Sequence, residues 1–167
     1  KLRVGVVGVG HLGKFHAEKY NKNKDCFLCC VSDTSPERGK GVAADYNCIY
    51  HADYKSMVGM VDAVSVAVPT TLHFKITDFF LSNGIHVLVE KPITDNVKTA
   101  QKLLEKAENN KLILLIGHLE RFNPCIQSIT NILENRLNDF KIKHIVAMRL
   151  TQFNTRANDV SVVTDLM

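Results

Sequence analysis

The stretch that decides the fold is Val4 to Gly13, which reads V-G-V-V-G-V-G-H-L-G. An apolar run, Leu2 to Val9, leads into three glycines, Gly8, Gly10 and Gly13, at the spacing G-x-G-x-x-G. After the last glycine the apolar spacing becomes helical, so the predicted order is strand, glycine turn and helix. This order is the context in which such a motif indicates a dinucleotide-binding loop.

Each glycine of this motif has its own predicted role. Gly8 permits a tight turn, Gly10 lets the backbone approach a pyrophosphate, and Gly13 lets the helix pack closely on the strand. The helix is predicted to begin near His11, with Leu12 in its first turn. Its free N–H groups and positive dipole end would then point towards that pyrophosphate. The motif alone is not specific, so its interpretation depends on the rest of the chain.

Composition places the chain among ordinary globular proteins. Its 167 residues are 46% hydrophobic and 23% charged, with a net charge of +4. The lysines and arginines are scattered and form no basic stripe, so we expect no nucleic-acid partner. No apolar run approaches the length of about 18 residues that spans a membrane, and we expect no membrane segment. No signal peptide is visible in the first residues.

The cysteines indicate a reduced protein. They number five, at Cys26, Cys29, Cys30, Cys48 and Cys125. An odd number without a secretory signal predicts a cytoplasmic location. The first two form C-x-x-C inside an apolar run with no second ligand pair, so we expect buried structural thiols and no metal site. The chain has no initiator Met and ends without a helix stop, which predicts an N-terminal fragment of a longer protein.

Strands alternate with helices along the first two thirds of the chain. The predicted strands are Leu2–Val9, Phe27–Ser32, Ile49–Tyr50, Asp62–Val68, His86–Val89 and Leu112–Gly117, and the predicted helices are His11–Asn21, Pro36–Tyr46, Tyr54–Met57, Asp95–Asn109 and one that ends at Ser82 after a cap at Thr70 or Thr71. This alternation, with right-handed crossovers, predicts an α/β fold with a doubly wound parallel sheet of order 3-2-1-4-5-6.

The pattern changes after this alternation ends. A helix is predicted over Cys125–Leu137, with Ile126, Ile129, Ile132 and Leu133 facing inward, and an alternating half-exposed strand over Phe140–Phe153. We therefore predict a Rossmann domain over residues 1–118 and the start of a truncated α+β domain over residues 119–167.

Asp33 is the first candidate cofactor ligand outside the glycine motif. It lies 20 residues after Gly13, at the predicted end of the second strand. An acid there hydrogen-bonds the adenosine ribose 2′-hydroxyl and favours NAD. Arg38 can reach a phosphate, which leaves NADP possible. The alternative is that Asp33 only starts the turn into the next helix.

The segment V-P-T-T-L-H follows the fourth strand. In the predicted sheet order it faces the glycine loop across the switch point, where ligands bind. We therefore expect Val68, Pro69, Thr70 and His73 to contact the cofactor. The alternative is a plain turn between strand and helix.

Two further segments are predicted at the same edge. Glu90 and Lys91 follow the fifth strand, and a lysine inside a cleft is a candidate acid, base or hydroxyl donor. The alternative is a surface lysine. His118, Arg121 and Asn123 follow the sixth strand, where Arg121 either holds two domains together or contacts an anionic substrate.

These motifs together resemble the glucose-fructose oxidoreductase, inositol dehydrogenase and MocA-like oxidoreductases. The resemblance covers the whole chain and rests on G-V-G-H-L-G, Asp33, V-P-T-T-L-H, E-K-P (Glu90–Pro92) and G-H-L-E-R-F-N-P (Gly117–Pro124). It implies a Rossmann domain followed by an α/β domain whose open sheet often forms dimers or tetramers, so a homo-oligomer is expected. It also implies hydride transfer between NAD(P) and a sugar or cyclitol hydroxyl.

The resemblance implies roles for individual residues. Lys91 would lie near the reacting hydroxyl and the nicotinamide. From their positions at the carboxyl edge of the sheet, we also expect Glu90 and His118 to contact the cofactor and Arg121 and Asn123 to contact the substrate, although a lone histidine such as His118 is usually structural. Asp165 would begin a D-x-G-x-H motif, although Met167 stands where the family has Gly and the histidine would follow the last residue.

Within the family, the segments H-L-E-R-F-N-P and N-D-V-S-V-V-T-D-L-M are most similar to nucleotide-sugar dehydrogenases. The nearest substrates are UDP-N-acetylglucosamine, at its 3-hydroxyl, and its uronate. The fragment alone is expected to bind NAD weakly and to catalyse nothing. The alternatives are a non-catalytic NAD(P)-sensing regulator of the same family and biliverdin-reductase-like chemistry.

Overall fold

A six-stranded parallel sheet organises the computed structural model, which describes residues 1–136 together with 143, 144, 146 and 148. The strand order is β3-β2-β1-β4-β5-β6, which confirms the predicted Rossmann order. The strands are β1 (Leu2–Val7), β2 (Cys26–Ser32), β3 (Ile49–His51), β4 (Ala63–Val66), β5 (His86–Val89) and β6 (Leu114–Ile116). The helices are α1 (Gly13–Lys22), α2 (Pro36–Tyr46), α3 (Thr70–Ser82), α4 (Val97–Asn109) and α5 (Pro124–Arg136), with short 3-10 helices at Tyr54–Met57 and Leu119–Phe122.

The central strand β1 explains why the first apolar run is nearly continuous. It pairs with β2 on one side and β4 on the other. Val6 and Val7 are both buried, although they point to opposite faces of the sheet. One face packs a larger cluster that includes Phe80 and Leu103, and the other packs a smaller one that includes Ala17. A strand buried on both faces needs apolar residues at every position.

The helix starts follow local capping chemistry. Ser35 caps α2 as predicted, since its Oγ accepts the Arg38 N–H at 3.4 Å. The predicted cap of α3 at Thr70 or Thr71 is wrong, because Pro69 occupies the N-cap position and no side chain caps that end. Helix α4 begins later than predicted, because the Oδ1 of Asn96 accepts the Thr99 N–H at 2.9 Å. None of the described helices is long and apolar enough to cross a membrane.

The region after the sheet differs from its prediction. Ile126, Ile129 and Ile132 of α5 are 42–55% exposed and Leu133 is half-buried, so the predicted inward face is wrong for the three isoleucines. The helix follows the last strand and packs against the 3-10 helix Leu119–Phe122, outside the sheet core. The predicted strand Phe140–Phe153 lies largely outside the described residues, and the four described positions in it are not assigned to a strand.

The cysteines in and beside the sheet differ in burial, and the predicted burial of the C-x-x-C pair holds fully only for Cys26. Cys26 and Cys30 are buried in β2, while Cys29 and Cys48 are half-buried. Burial raises the pKa of Cys30 to about 12 and the pKa of Cys48 to about 11, so both thiols stay protonated at neutral pH. Among the described residues, no three His, Cys, Asp or Glu side chains are placed to hold a metal ion.

Candidate functional site

The glycine loop, residues 8–13, connects β1 to α1 at the carboxyl edge of the sheet. Gly8 has a φ of +82°, and its N–H donates to the Ser32 carbonyl at 2.7 Å. A Cβ on Gly8 would lie 2.6 Å from the Ala67 carbonyl oxygen, and one on Gly13 would lie 1.7 Å from the Gly8 carbonyl oxygen. Both positions therefore require glycine, one for the turn and the other for the close approach of α1.

Gly10 differs from its neighbours because open space lies beside it. A Cβ built there meets no atom within 4 Å. Helix α1 starts three residues later, with Leu12 at its N-cap and no side chain capping that end. At this end the Lys14 and Phe15 N–H groups are bonded to the Gly10 and Leu12 carbonyl oxygens at 3.2 and 2.9 Å, and the positive dipole end of the helix favours anions. This part of the loop therefore fits a pyrophosphate, with the exposed His11 beside it.

Asp33 lies at the end of β2 and is only 6% exposed. Its Oδ2 accepts the Val9 N–H at 2.9 Å, and its Oδ1 accepts the Ser35 N–H at 2.8 Å and Nη2 of Arg38 at 3.0 Å. Burial alone would raise the pKa of Asp33, but these hydrogen bonds outweigh burial and lower the pKa. A carboxylate has about four acceptor positions, and these hydrogen bonds occupy three of them. The binding of a ribose hydroxyl by Asp33 stays a prediction.

His73 joins the loop after β4 to the loop after β5. The side chain is almost fully buried, with Nε2 2.9 Å from the Val68 carbonyl oxygen and Nδ1 2.8 Å from the Pro92 carbonyl oxygen. Both nitrogens thus face backbone oxygens, and its direct contact with a cofactor stays a prediction. In the same loop, Pro69 is exposed, and Thr70, the first residue of α3, is buried.

Glu90 lies buried at the end of β5, and Lys91 beside it is half-buried. The Oε1 of Glu90 lies 3.0 Å from His16 Nε2, and its Oε2 accepts the Lys91 N–H at 3.2 Å. Burial alone would raise the pKa of Glu90, but the hydrogen bond and charge of His16 and the neighbouring Lys91 lower it overall. A Cβ on Gly117 would lie 3.0 Å from this carboxylate, so the loop after β6 packs directly against it.

Three polar residues that the sequence patterns did not reveal form a hydrogen-bonded chain that ends at Glu90. Nδ1 of His16 lies 3.1 Å from the Ser65 Oγ, which lies 2.6 Å from the Tyr20 hydroxyl. Ser65 is fully buried in β4. The available signal was the spacing of His16 and Tyr20, because residues four apart in a helix share one face, and Ala17 on α1 is buried against the sheet.

The candidate residues that follow β6 are more exposed to solvent than Asp33 and Glu90. His118 and Arg121 are exposed around the 3-10 helix Leu119–Phe122. Asn123 is half-buried and caps α5, since its Oδ1 accepts the Cys125 N–H at 3.0 Å. Their roles stay predictions, and Asp165 lies outside the described residues.

The loops that follow β1, β2, β4, β5 and β6 contact one another along the carboxyl edge of the sheet. The loop after β2 bonds the glycine loop, the glycine loop touches the loop after β4, and His73 ties that loop to the one after β5. The buried Glu90 then meets the loop after β6. All these segments are thus brought to one side of the sheet, where ligands bind in open α/β folds.

A model of the Gfo/Idh/MocA oxidoreductase family, described as an NAD-binding Rossmann fold, matches residues 2–118. The chain belongs to this family. Its first domain is therefore an NAD-binding Rossmann domain of an oxidoreductase family, which confirms the family, the fold and the NAD cofactor predicted from the motifs. The division of the chain at residue 118 stays a prediction.

Relatives in the Gfo/Idh/MocA family match nearly the whole chain. It is 38% identical over 167 residues to the UDP-N-acetylglucosamine 3-dehydrogenase of Acidithiobacillus ferrooxidans, covering 99% of this chain and 51% of that protein. It is 26% identical over 163 residues to the inositol 2-dehydrogenase of Rhizobium meliloti, covering 97% and 48%. The chain therefore spans about half the length of these relatives.

Solved structures of Gfo/Idh/MocA oxidoreductases share the fold. The UDP-N-acetylglucosamine 3-dehydrogenase GnnA from Acidithiobacillus ferrooxidans superimposes with a TM-score of 0.82 at 37% identity, covering 99% of this chain and 53% of that one. GenD2 from gentamicin A biosynthesis, solved in complex with NAD, gives a TM-score of 0.79 at 26% identity, covering 82% and 40%.

Proposed function

We propose that the intact protein is an NAD-dependent dehydrogenase that acts on a hydroxyl of a nucleotide sugar. The observation that carries the proposal is the similarity, over almost the whole chain, to a UDP-N-acetylglucosamine 3-dehydrogenase. The 3-hydroxyl of UDP-N-acetylglucosamine is therefore the first substrate to test. The relatives described above are named as dehydrogenases, and no observation favours the regulatory alternative.

The loops at the carboxyl edge would hold the dinucleotide. Gly10 and the N-terminus of α1 would bind the pyrophosphate, and the remaining acceptor position of Asp33 would bind the ribose. The segment from Val68 to Thr70 would line the opposite wall of the cleft. Bound NAD supplies the hydride acceptor for oxidation of the sugar hydroxyl.

Lys91 would act on the substrate hydroxyl. It follows β5 at the same edge as the glycine loop, and its backbone N–H is held by the buried Glu90. From there its ammonium group would hydrogen-bond the reacting oxygen, orient it and stabilise the negative charge that develops as the hydroxyl proton leaves. We propose that the proton passes to the histidine of the D-x-G-x-H motif that the resemblance implies from Asp165 onward, with Asp165 assisting, while the hydride passes to NAD. We further propose that Arg121 binds the anionic part of the substrate.

The experiment is turnover by the full-length protein with UDP-N-acetylglucosamine and NAD, followed as NADH formation. Lys91→Ala is expected to lower kcat/KM by more than about tenfold, which corresponds to about 1.4 kcal/mol. Lys24→Ala is the matched control, because Lys24 is an exposed lysine in the turn between α1 and β2. Activity of Lys91→Ala within tenfold of the parent protein would show that Lys91 is not central.

The whole protein's assembly is a separate proposal. We propose a cytoplasmic homo-oligomer formed through the domain that begins near residue 119, with the isolated 167-residue fragment inactive. Sedimentation of the full-length protein and an activity assay of the fragment test these two points. A monomeric full-length protein, or turnover by the fragment, would contradict them.

A further inference from the structure

A chain of polar side chains crosses the buried interface between α1 and the sheet. It runs from the Tyr20 hydroxyl through Ser65 Oγ and the His16 ring to the Glu90 carboxylate, with successive atoms 2.6, 3.1 and 3.0 Å apart. Ser65 and Glu90 are 0% and 5% exposed, and the His16 side chain is 16% exposed. Polar groups at this depth destabilise the fold unless they are hydrogen-bonded, so the arrangement needs an explanation.

The donor and acceptor capacities of the four groups allow every member of the chain to be paired. The Glu90 carboxylate can only accept, so Nε2 of His16 donates to it. Nδ1 of His16 accepts from the Ser65 hydroxyl if the ring is neutral and donates to it if the ring is protonated, and either hydroxyl can donate in the bond between Ser65 and Tyr20. Every group has a partner in this arrangement, and the His16 ring is fixed at both nitrogens.

The chain ends beside the reacting group of the proposed function. One oxygen of Glu90 is bound by His16, while the other accepts the backbone N–H of Lys91. His16 lies on the first turn of α1, the helix that begins at the glycine loop. The carboxylate therefore connects the backbone of Lys91 to the helix that would bind the pyrophosphate.

We propose that His16 is a positioning residue for Lys91. Its hydrogen bond to Glu90 fixes the backbone from which Lys91 projects and sets the distance of that lysine from the glycine loop. This inference rests on the proposed function, because it requires Lys91 to act on the substrate hydroxyl. A displacement of about 1 Å at a reacting group can lower a rate by about a hundredfold, so such a contact can control turnover without touching the substrate.

The test compares three variants of His16 in the full-length protein. His16→Leu removes both hydrogen bonds, His16→Gln keeps a side-chain N–H that reaches Glu90, and His16→Asn is too short to reach it. We expect His16→Leu and His16→Asn to lower kcat by at least about tenfold, with the dissociation constant of NAD within about threefold of the parent value. We expect His16→Gln to recover kcat to within about threefold.

Tyr20→Phe is the matched control. It removes the far end of the chain, but the Ser65 hydroxyl can still donate to His16, so kcat should stay unchanged. Equal kcat values for folded His16→Asn and His16→Gln, both near that of the parent protein, would overturn the inference. Lys91→Ala distinguishes a failure of the proposed function from a failure of the positioning role. If Lys91→Ala keeps full activity, the proposed function of Lys91 is wrong. If Lys91→Ala loses activity but the His16 variants do not, only the positioning role of His16 is wrong.

Discussion

Replacement of Gly13 by alanine tests the packing of the glycine loop directly. The new Cβ would lie 1.7 Å from the Gly8 carbonyl oxygen and 2.8 Å from its carbonyl carbon. Contacts of this kind normally exceed about 3 Å, so the two backbone segments must separate by more than about 1 Å. Gly8 resists this movement, because its N–H is bonded to Ser32 at 2.7 Å.

The expected loss of stability follows from this clash. Overpacking that moves the backbone typically costs about 1–3 kcal/mol, and a clash this close to another backbone segment lies at the upper end, about 3 kcal/mol. A domain of about 117 residues unfolds with an entropy of about 0.25 kcal/mol per kelvin, so its Tm should fall by about 12 °C. Thermal unfolding of the full-length protein, followed by circular dichroism, measures this shift.

Gly10→Ala is the control that separates stability from binding. Its Cβ meets no atom within 4 Å, so we expect a Tm within about 2 °C of the parent protein. The methyl group would occupy the space proposed for the pyrophosphate, and NAD affinity measured by calorimetry should fall at least about tenfold. A Gly13→Ala protein with an unchanged Tm would refute the packing argument, and a Gly10→Ala protein with full NAD affinity would refute the binding argument.

Three further predictions concern the carboxyl edge. Asp33→Ser should remove the ribose acceptor and release the Arg38 guanidinium. In calorimetric titrations the affinity of the protein for NAD should therefore fall at least about tenfold, and the ratio of its affinities for NAD and NADP should decrease. The pKa values of Asp33 and Glu90 are lowered in the folded protein, so both ionised carboxylates stabilise the fold above about pH 4. This stability is lost as the pH falls through the folded-state pKa values. Asp33→Asn removes one of the two contributions, so the urea midpoint of this variant should decrease less than that of the parent protein between about pH 7 and pH 3. His73→Phe removes the buried ring that faces the Val68 and Pro92 carbonyl oxygens and leaves at least one of them without its donor, so the free energy of unfolding in urea should fall by about 1 kcal/mol or more. An unchanged midpoint would contradict the tie between the two loops.

Much of the fold follows from local signals in the sequence. The glycine spacing, Ser35 before Pro36, and the apolar runs each state a local preference that agrees with the parallel sheet, so the sheet order could be predicted. The location of Asp33 and Lys91 at strand ends likewise follows from periodicity, because parallel strands bring their carboxyl ends to one edge.

The partners of these residues could not be predicted in the same way. The bonds of Glu90 to His16, and of His16 to Ser65, join positions that lie 74 and 49 residues apart, and no local pattern encodes such contacts. The inward face predicted for α5 failed for a related reason, since an amphipathic pattern shows that a helix has an apolar side but not what covers it.

A crystal structure of the full-length protein with NAD would show where the dinucleotide binds. We predict the pyrophosphate beside Gly10 at the start of α1, the adenosine ribose on Asp33, and the nicotinamide within reach of Lys91. A dinucleotide bound away from the carboxyl edge of the sheet, or a nicotinamide on the far side of the glycine loop from Lys91, would contradict this prediction.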